Sequence, residues 1–354
     1  MKEIVKRLEA WEKGEKPGPQ SIQLNPTNRC NLACRFCWQR TNDEIDYSEV
    51  SDERYLNLVE EAESLGMEEM EITGGGEPML RKELVLELME RIKEGRMSGK
   101  LITNGTGLDE NDLIRIVDSG WDEVVFSVDG PEETHDYLRQ VEGCFEETVS
   151  SMKKLDSLRD GKPKITFHMV LCKKNYDKIK DTIKLAKEYG CDNFFVEPVV
   201  TLAFDTEMGK ELKMSQKEIE KTVENLENAK REAENKGLNH NLGDLREELI
   251  SRTNEMDKVV KEDVSGTEME GIKGAACYEP WYNMIIRPEG DVGPCCMFDN
   301  QGPKIQENSL EEVWFGEYFK SVREKMVNHE MLSFCSKCNP SQVARNRDIR
   351  KVLE

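Results

Sequence analysis

The sequence predicts an α/β fold in which short parallel strands alternate with helices. Two observations support it: helical patterns separate short apolar runs, and motifs rich in cysteine, glycine and polar residues follow these runs. The runs occupy 21–25, 69–73, 100–103, 123–128, 164–170 and 193–199. Six such units imply right-handed crossovers, either in an open doubly wound sheet or in a barrel lacking two units. Periodicity alone does not choose between these two architectures.

The helices are predicted from their apolar periodicity and their end signals. The first begins at Ser51 and stops at Gly66, and the third has Asp109 as its expected N-cap. The five helical patterns cover 51–66, 81–95, 109–120, 145–158 and 176–190. Ligands bind at the carboxyl ends of parallel strands in both candidate architectures. The motifs that follow the strands are therefore the candidate functional residues.

The later part of the chain has a different character. Residues 205–270 contain a strongly charged helix with a thin apolar stripe, which we interpret as a bridge. From Cys277 onward, five cysteines occur within 62 residues, which indicates a small metal-stapled module. We therefore divide the chain into an N-terminal extension (1–20), a strand–helix domain (21–204), a charged helical bridge (205–270) and a C-terminal module (271–354).

Composition narrows the function classes. The 354-residue chain has 34% charged residues and a net charge of −21, which disfavours a nucleic-acid partner. No apolar run approaches the roughly 18 to 20 residues of a transmembrane segment, and the charged N-terminus lacks the apolar core of a signal peptide. We therefore expect a cytoplasmic protein. In a reducing compartment its eleven cysteines are more typical of metal ligands or buried thiols than of disulfides.

Three cysteines follow the first strand in "NRCNLACRFCW", at positions 30, 34 and 37. Three thiolates can hold three irons of a cubane cluster and leave the fourth iron open for reaction. The alternative is a zinc site that a distant residue completes. No histidine lies within 90 residues of Cys37, so a local site of three cysteines and one histidine is excluded.

Two further motifs follow the second and fourth strands. In "TGGGEP" (73–78), glycines let a ligand approach the backbone, and Glu77 offers a carboxylate to a cation or amine. The alternative is a plain tight turn; a phosphate loop is excluded because the Gly-Lys-Ser/Thr sequence is missing. In "FSVDGPEETHDYLR", Ser127 ends the strand and Arg139 could clamp a carboxylate, unless it is a surface arginine on an ordinary loop.

Together these motifs resemble the radical S-adenosylmethionine (radical SAM) enzymes over about residues 20–200. The resemblance implies a partial (β/α)6 TIM-like barrel, a [4Fe–4S] cluster and bound S-adenosylmethionine. By position, Cys30, Cys34 and Cys37 would hold the cluster. The residues expected to contact S-adenosylmethionine are Phe36, Gly75, Gly76, Glu77, Ser127 and Arg139.

The C-terminal module is similar to the SPASM/twitch extension of the same enzymes, which holds auxiliary iron–sulfur clusters. It has fewer cysteines than the full form, which implies one auxiliary [4Fe–4S] cluster. The resemblance implies Cys277, Cys295, Cys335 and Cys338 as its ligands and leaves Cys296 over. From spacing alone, a structural zinc ribbon is an equal alternative.

The resemblance implies an enzyme that cleaves S-adenosylmethionine to a 5′-deoxyadenosyl radical, which abstracts hydrogen from an unactivated C–H bond. The substrate is a peptide, a small molecule, a cofactor precursor or a lipid, and an external electron donor such as flavodoxin or ferredoxin is required. Only about 20 residues precede the first strand, so we expect no fused leader-peptide reader. The alternative function is a non-catalytic iron–sulfur or zinc protein for electron transfer or scaffolding. We expect His168 to be a core histidine and Glu197 to be an acid, a base or a plain solvated residue.

Overall fold

The computed structural model describes residues 1–41, 45–199, 206–251, 269–299, 301–338 and 340–354. Within these ranges one sheet contains nine strands in the order β7-β6-β5-β4-β3-β2-β1-β8-β9, all parallel to their neighbours except the antiparallel pair β8 and β9. The strands are β1 Ser21–Leu24, β2 Glu69–Ile72, β3 Ser98–Thr103, β4 Glu123–Ser127, β5 Lys164–Leu171, β6 Asn193–Pro198, β7 Asn239–His240, β8 Asn283–Ile286 and β9 Val292–Gly293. The six predicted strands are confirmed as β1 to β6.

The helices lie between and after the strands. They are α1 Lys2–Glu12, α2 Asp52–Ser64, α3 Lys82–Glu94, α4 Glu110–Asp118, α5 Glu132–Arg139, α6 Cys144–Leu158, α7 Ile179–Glu188, α8 Glu207–Lys210, α9 Gln216–Asn235, α10 Leu242–Ser251, α11 Leu310–Phe315, α12 Glu317–Val327 and α13 Pro340–Leu353. The caps follow the sequence signals: Ser51 accepts a hydrogen bond from the Arg54 amide, and Asp109 forms a capping box with Asp112. Among the described helices, none combines the length and the apolar character that crossing a membrane requires.

Side chains of β1 to β6 alternate between two environments. One face of the sheet packs under the helices in the main core, through Ile22, Met70, Leu101, Val124, Phe167 and Val196. The other face lines a single cavity, through Gln23, Glu71, Lys100, Val125, His168 and Glu197. Six successive strands can share one cavity only if the sheet curves around it. This curvature is that of the expected partial barrel.

The charged helix α9 belongs to this barrel. It buries Leu226, Ala229 and Ala233 in the main core and packs against α7 and α10. The short strand β7 then follows and extends the sheet beside β6. Helix α9, which forms part of the predicted bridge, therefore covers the sheet as the preceding helices do. The remainder of that bridge includes 252–268, which lie outside the described residues.

The C-terminal module is joined to the barrel by strand pairing. Strand β8 lies parallel to β1, with Ser21 opposite Asn283, and β9 then pairs with β8. The N-terminal helix α1 packs on this module, because Ile4 and Leu8 share a second core with Tyr278 and Trp281. Helix α1, which lies within the expected extension at 1–20, thus packs into the core of the C-terminal module, and the domain boundaries stay a prediction.

Candidate active site and metal centres

The carboxyl ends of β1 to β4 surround a cavity of about 270 Å³, which we call the loop cavity. It is lined by every residue expected to hold the first cluster or S-adenosylmethionine: Cys30, Cys34, Phe36, Cys37, Gly75, Gly76, Glu77, Ser127 and Arg139. These residues come from two loops, from the end of strand β4 and from helix α5. The fold therefore brings the whole predicted set together.

The cysteine loop is held from outside by the end of α5. The amides of Ala33 and Arg35 donate to the carbonyls of Arg139 and Leu138, at 3.2 and 2.9 Å. Within the loop, the Leu32 amide donates to the Cys30 sulfur at 3.5 Å. Burial raises the pKa of the Cys30 thiol to about 11, so this thiol is protonated at neutral pH when no metal is bound.

The distances between the three cysteine sulfurs indicate whether a single zinc ion or a cubane cluster fits the loop. Four thiolates around one zinc at about 2.3 Å place the sulfurs about 3.8 Å apart. Among the described residues, only His135, Asp136 and Cys144 bring three ligand atoms within 4.8 Å of one another. The sulfurs of the cysteine loop are thus too far apart to share one ion, whereas a cubane cluster, which binds each cysteine through a different iron, needs wider spacing.

The glycines of "TGGGEP" are required by the neighbouring cysteine loop. A Cβ on Gly75 would lie 1.9 Å from the Asn28 side-chain oxygen, and one on Gly76 would lie 1.9 Å from the Arg29 carbonyl oxygen. The two loops are also hydrogen-bonded, since the Glu77 amide donates to the Arg29 carbonyl at 2.8 Å. The packing of two loops therefore accounts for these glycines, and their contact with a ligand stays a prediction.

Glu77 lies buried in the cavity wall with only 3% of its surface exposed. Its carboxylate accepts hydrogen bonds from the Met79 amide (3.0 Å), the Thr103 hydroxyl (2.7 Å) and the Asn104 amide (2.7 Å). Burial raises the pKa of Glu77, and these three donors oppose the shift. Two of these donors, Thr103 and Asn104, lie at the end of β3 and reach Glu77 because β3 lies beside β2.

Arg139 is buried and already has a protein partner. Its Nε donates to Asp129 at 2.6 Å, its Nη1 donates to the Cys34 sulfur at 3.6 Å, and its guanidinium lies 5.1 Å from the Phe36 ring centre. Although burial opposes the charge, Asp129 and Cys34 raise the pKa of Arg139 above its ordinary value. The surface arginine that we considered as the alternative is therefore wrong, and Asp129 is a site residue that the expected set omitted.

A second cavity lies in the C-terminal module and is lined by all four cysteines expected to hold the auxiliary cluster: Cys277, Cys295, Cys335 and Cys338. We call it the module cavity. Burial raises the pKa of the Cys277 and Cys295 thiols well above the ordinary value, so a metal must displace their protons. As in the first cavity, no three of these sulfurs lie within 4.8 Å of one another. Their spacing therefore also fits a cluster better than a single zinc.

Cys296 has a different environment. It lines the cavity inside the barrel, where its side chain is exposed. The side-chain amide of Gln342 donates to its sulfur at 3.9 Å. The surrounding protein nevertheless raises the pKa of this thiol to about 11, chiefly by removing water and further by the nearby Glu279. Adjacent cysteines thus face two different cavities.

The barrel cavity has a volume of about 710 Å³. It shares Ile102 with the loop cavity and shares Glu279 and Gln342 with the module cavity, so it lies between them. His168 and Glu197 face it side by side, with Nε2 and Oε2 3.6 Å apart. Our expectation of a core histidine is therefore wrong, because His168 lies on the inner face of β5.

Two family models match this chain. The Radical SAM superfamily model covers residues 24–186, and the SPASM iron–sulfur cluster-binding domain model covers residues 277–339. The first implies a [4Fe–4S] cluster bound with S-adenosylmethionine, and the second implies auxiliary iron–sulfur clusters. The matched ranges contain the cysteines of the loop cavity and of the module cavity, respectively.

Several curated proteins share this sequence pattern at modest identity. The sporulation killing factor maturation protein SkfB of Bacillus subtilis is 25% identical over 83% of this chain and 64% of its own length. The PqqA peptide cyclase of Granulibacter bethesdensis is 23% identical over 84% of this chain and 74% of its own length. The pre-heme d1 synthase of Dinoroseobacter shibae is 28% identical over 50% of this chain. The chain spans 64% and 42% of the length of SkfB and of this synthase.

One solved structure with the same fold is SuiB of Streptococcus suis bound to its precursor peptide SuiA. It superposes with a TM-score of 0.66 at 18% identity, covering 96% of this chain and 74% of SuiB. Because the superposition covers nearly the whole chain, the two proteins share their fold in both the barrel and the C-terminal module. The chain therefore belongs to the radical SAM superfamily and carries an iron–sulfur cluster-binding SPASM domain in its C-terminal part.

Proposed function

We propose that this chain is a radical SAM maturase that modifies an unactivated C–H position of a peptide or protein. The observation that carries the proposal is the alignment of three cavities, because the barrel cavity touches the loop cavity on one side and the module cavity on the other. In this proposal the loop cavity holds the first cluster and S-adenosylmethionine, the barrel cavity holds the reacting part of the substrate, and the module cavity holds one auxiliary [4Fe–4S] cluster.

When bound and reduced by one electron, the first cluster with S-adenosylmethionine supplies a 5′-deoxyadenosyl radical that takes a hydrogen atom from the substrate. Cys30, Cys34 and Cys37 hold that cluster. Glu77 contributes a negative charge for the ligand's amino group, and its position is fixed by three donors. Among contacts between described residues, Arg139 uses its Nε and Nη1, so its Nη2 remains for the ligand's carboxylate or ribose.

The proposed substrate class is supported by how much of the chain each relative matches. The two peptide-modifying relatives match 83% and 84% of the chain, so their similarity includes both domains. The pre-heme d1 synthase and the Fe-coproporphyrin III synthase of Methanosarcina barkeri match only 50% and 53%. Among these four relatives, those that match the chain over both domains are the ones that act on peptides. A small-molecule or lipid substrate is the competing candidate.

The barrel cavity can hold one reacting side chain of such a substrate. Its volume lies within the usual range of ligand sites, about 300–1,000 Å³. Inside it, Lys100 pairs with Glu71 and His168 lies beside Glu197, so the cavity offers hydrogen-bond donors and acceptors to polar groups of a substrate. Proton transfer to or from the substrate would fall to His168 and Glu197, which lie on neighbouring strands facing the cavity.

Metal content and cofactor cleavage test this function. The anaerobically reconstituted protein should hold about eight irons and eight sulfides, and replacing Cys30, Cys34 and Cys37 together should leave about four. Under strong reductant, the parent and the control variant should then cleave S-adenosylmethionine, and the triple variant should not. Cys191→Ala is the matched control, because Cys191 is buried away from all three cavities. Stoichiometric zinc without iron would contradict the proposal, and two clusters without cofactor cleavage would favour the electron-transfer alternative.

A further inference from the structure

Two cations share one exposed tyrosine beside the cysteine loop. The Arg35 guanidinium lies 4.1 Å from the centre of the Tyr137 ring, and the Lys174 ammonium lies 5.4 Å from it. The Arg35 Nε also donates to the Tyr137 carbonyl at 3.0 Å, which fixes the arginine in this position. Tyr137 is 38% exposed. We call these three residues the cationic face.

Within the described residues, the charge of this face has no carboxylate partner. No described carboxylate forms an ion pair with Arg35 or Lys174, whereas several other exposed cations pair with one. The nearest acidic residue in sequence, Asp136, accepts hydrogen bonds from the amides of Gly143 and Phe145. In a chain with a net charge of −21, two unpaired cations on one ring form a distinct positive feature.

The cationic face adjoins the cysteine loop. Arg35 follows Cys34 in the chain, and its backbone amide donates to the Leu138 carbonyl at 2.9 Å. Consecutive Cα atoms are only about 3.8 Å apart, so a protein that contacts Arg35 lies close to the cysteine loop. Electron transfer becomes slower with distance, and this face therefore offers a short entry path for an electron.

We propose that the cationic face is the docking site of an acidic one-electron carrier protein, such as a flavodoxin or ferredoxin with carboxylates around its redox group. This inference rests on the proposed function. The carrier's reduced group would lose one electron, which the first cluster would gain: an anionic flavodoxin hydroquinone becomes the neutral semiquinone, and no proton is released. A small charged contact suits such a transient complex, because complementary charge raises the association rate more than the affinity.

The test follows the reduction of the reconstituted protein by a reduced bacterial flavodoxin, measured as loss of cluster absorbance in a stopped-flow instrument. Arg35→Glu and Lys174→Glu should each lower the flavodoxin-dependent rate by about tenfold at low salt, and about 0.5 M salt should remove most of the difference. Photoreduced deazaflavin, which needs no docking site, should reduce parent and variants within about twofold of one another.

Lys153→Glu is the matched control. Lys153 is an exposed lysine whose ammonium lies 4.6 Å from the Tyr189 ring centre, so this variant makes the same change of charge at a similar contact. It should keep the parent rate. Equal flavodoxin rates in parent, Arg35→Glu and Lys174→Glu overturn the docking site, as does an equal loss in Lys153→Glu. A parent without iron overturns the proposed function as well, and iron content separates a failure of docking from a failure of the fold.

Discussion

Replacing Gly76 by alanine measures how strongly the two loops of the loop cavity depend on each other. The added Cβ would lie 1.9 Å from the Arg29 carbonyl oxygen and 2.5 Å from its carbonyl carbon. Contacts of a Cβ below 3.0 Å essentially do not occur, so one loop must move by more than about 1 Å. Both contacting atoms belong to the backbone, and no side-chain rotation can relieve the overlap.

The expected cost follows from the overlap and from two hydrogen bonds. Overpacking of this kind costs about 1–3 kcal/mol. The movement also weakens the bonds from the Gly76 amide to the Thr27 carbonyl (2.9 Å) and from the Glu77 amide to the Arg29 carbonyl (2.8 Å), each worth about 1 kcal/mol. We therefore expect the free energy of unfolding to fall by about 3 kcal/mol. With a urea m-value of about 3 kcal/mol/M, the midpoint falls by about 1 M.

The assay is urea unfolding of the metal-free protein, followed by iron analysis of the reconstituted variant. The variant should also hold less iron than the parent, because the displaced loop carries the three cysteines. Gly243→Ala is the control: Gly243 lies in α10 and has open space where a Cβ would be, so alanine there should stabilise by up to about 1 kcal/mol. An unchanged midpoint and iron content in Gly76→Ala would refute the argument that the loops depend on this packing.

Three further predictions concern metal content, cofactor affinity and pH. Cys296→Ser should keep full iron content and Cys295→Ser should lose or convert the auxiliary cluster. Of these two neighbours, Cys295 lines the module cavity and Cys296 lines the barrel cavity. Glu77→Gln should keep its clusters and weaken S-adenosylmethionine binding about tenfold or more in calorimetry, because a charge-assisted bond is lost. Burial, with a further effect of Arg139, lowers the pKa of His135 to about 4. Between pH 6.5 and 4, therefore, only the unfolded chain binds this proton. The free energy of unfolding has its full His135 contribution above pH 6.5 and loses up to about 3 kcal/mol as the pH falls to 4. Urea unfolding of His135→Asn at several pH values should show a correspondingly flatter pH dependence than the parent.

Each of these has a contradicting result. If Cys295→Ser keeps the auxiliary iron and Cys296→Ser loses it, the ligand assignment is reversed. Glu77→Gln with parent affinity would show that the carboxylate does not contact the ligand. An equal pH dependence in His135→Asn and the parent would place the acid sensitivity elsewhere in the chain.

The strand–helix pattern was predictable because it is local. Each strand from β1 to β6 is a short apolar run, and signals such as Ser51 and Asp109 act within three residues of their own position. The three cysteines and Glu77 were also found, because their motifs follow strand ends that must meet at one edge of a parallel sheet. Their joint position in the loop cavity follows from that geometry.

The features that the sequence did not reveal depend on contacts that local pattern does not contain. Strand β8 pairs with β1 across 262 residues, which no periodicity reveals. Helix α9 presents Ala229 and Ala233 to the core, and such small side chains give a weak apolar stripe. Alternation places His168 on the face of β5 opposite Ile165 and Phe167, but alternation alone does not say which face points into the barrel. Cys296 and Cys295 differ only in the direction of their side chains.

The pairing of β8 with β1 has a consequence for synthesis of the chain on the ribosome. At about 5–20 residues per second, the 262 residues between Ser21 and Asn283 take about 13 to 50 s to appear. Throughout that interval one edge of β1 has no partner strand, and an unpaired edge readily pairs with other nascent chains. The barrel half of this protein is therefore exposed to strand mispairing until the segment that contains β8 has been synthesised.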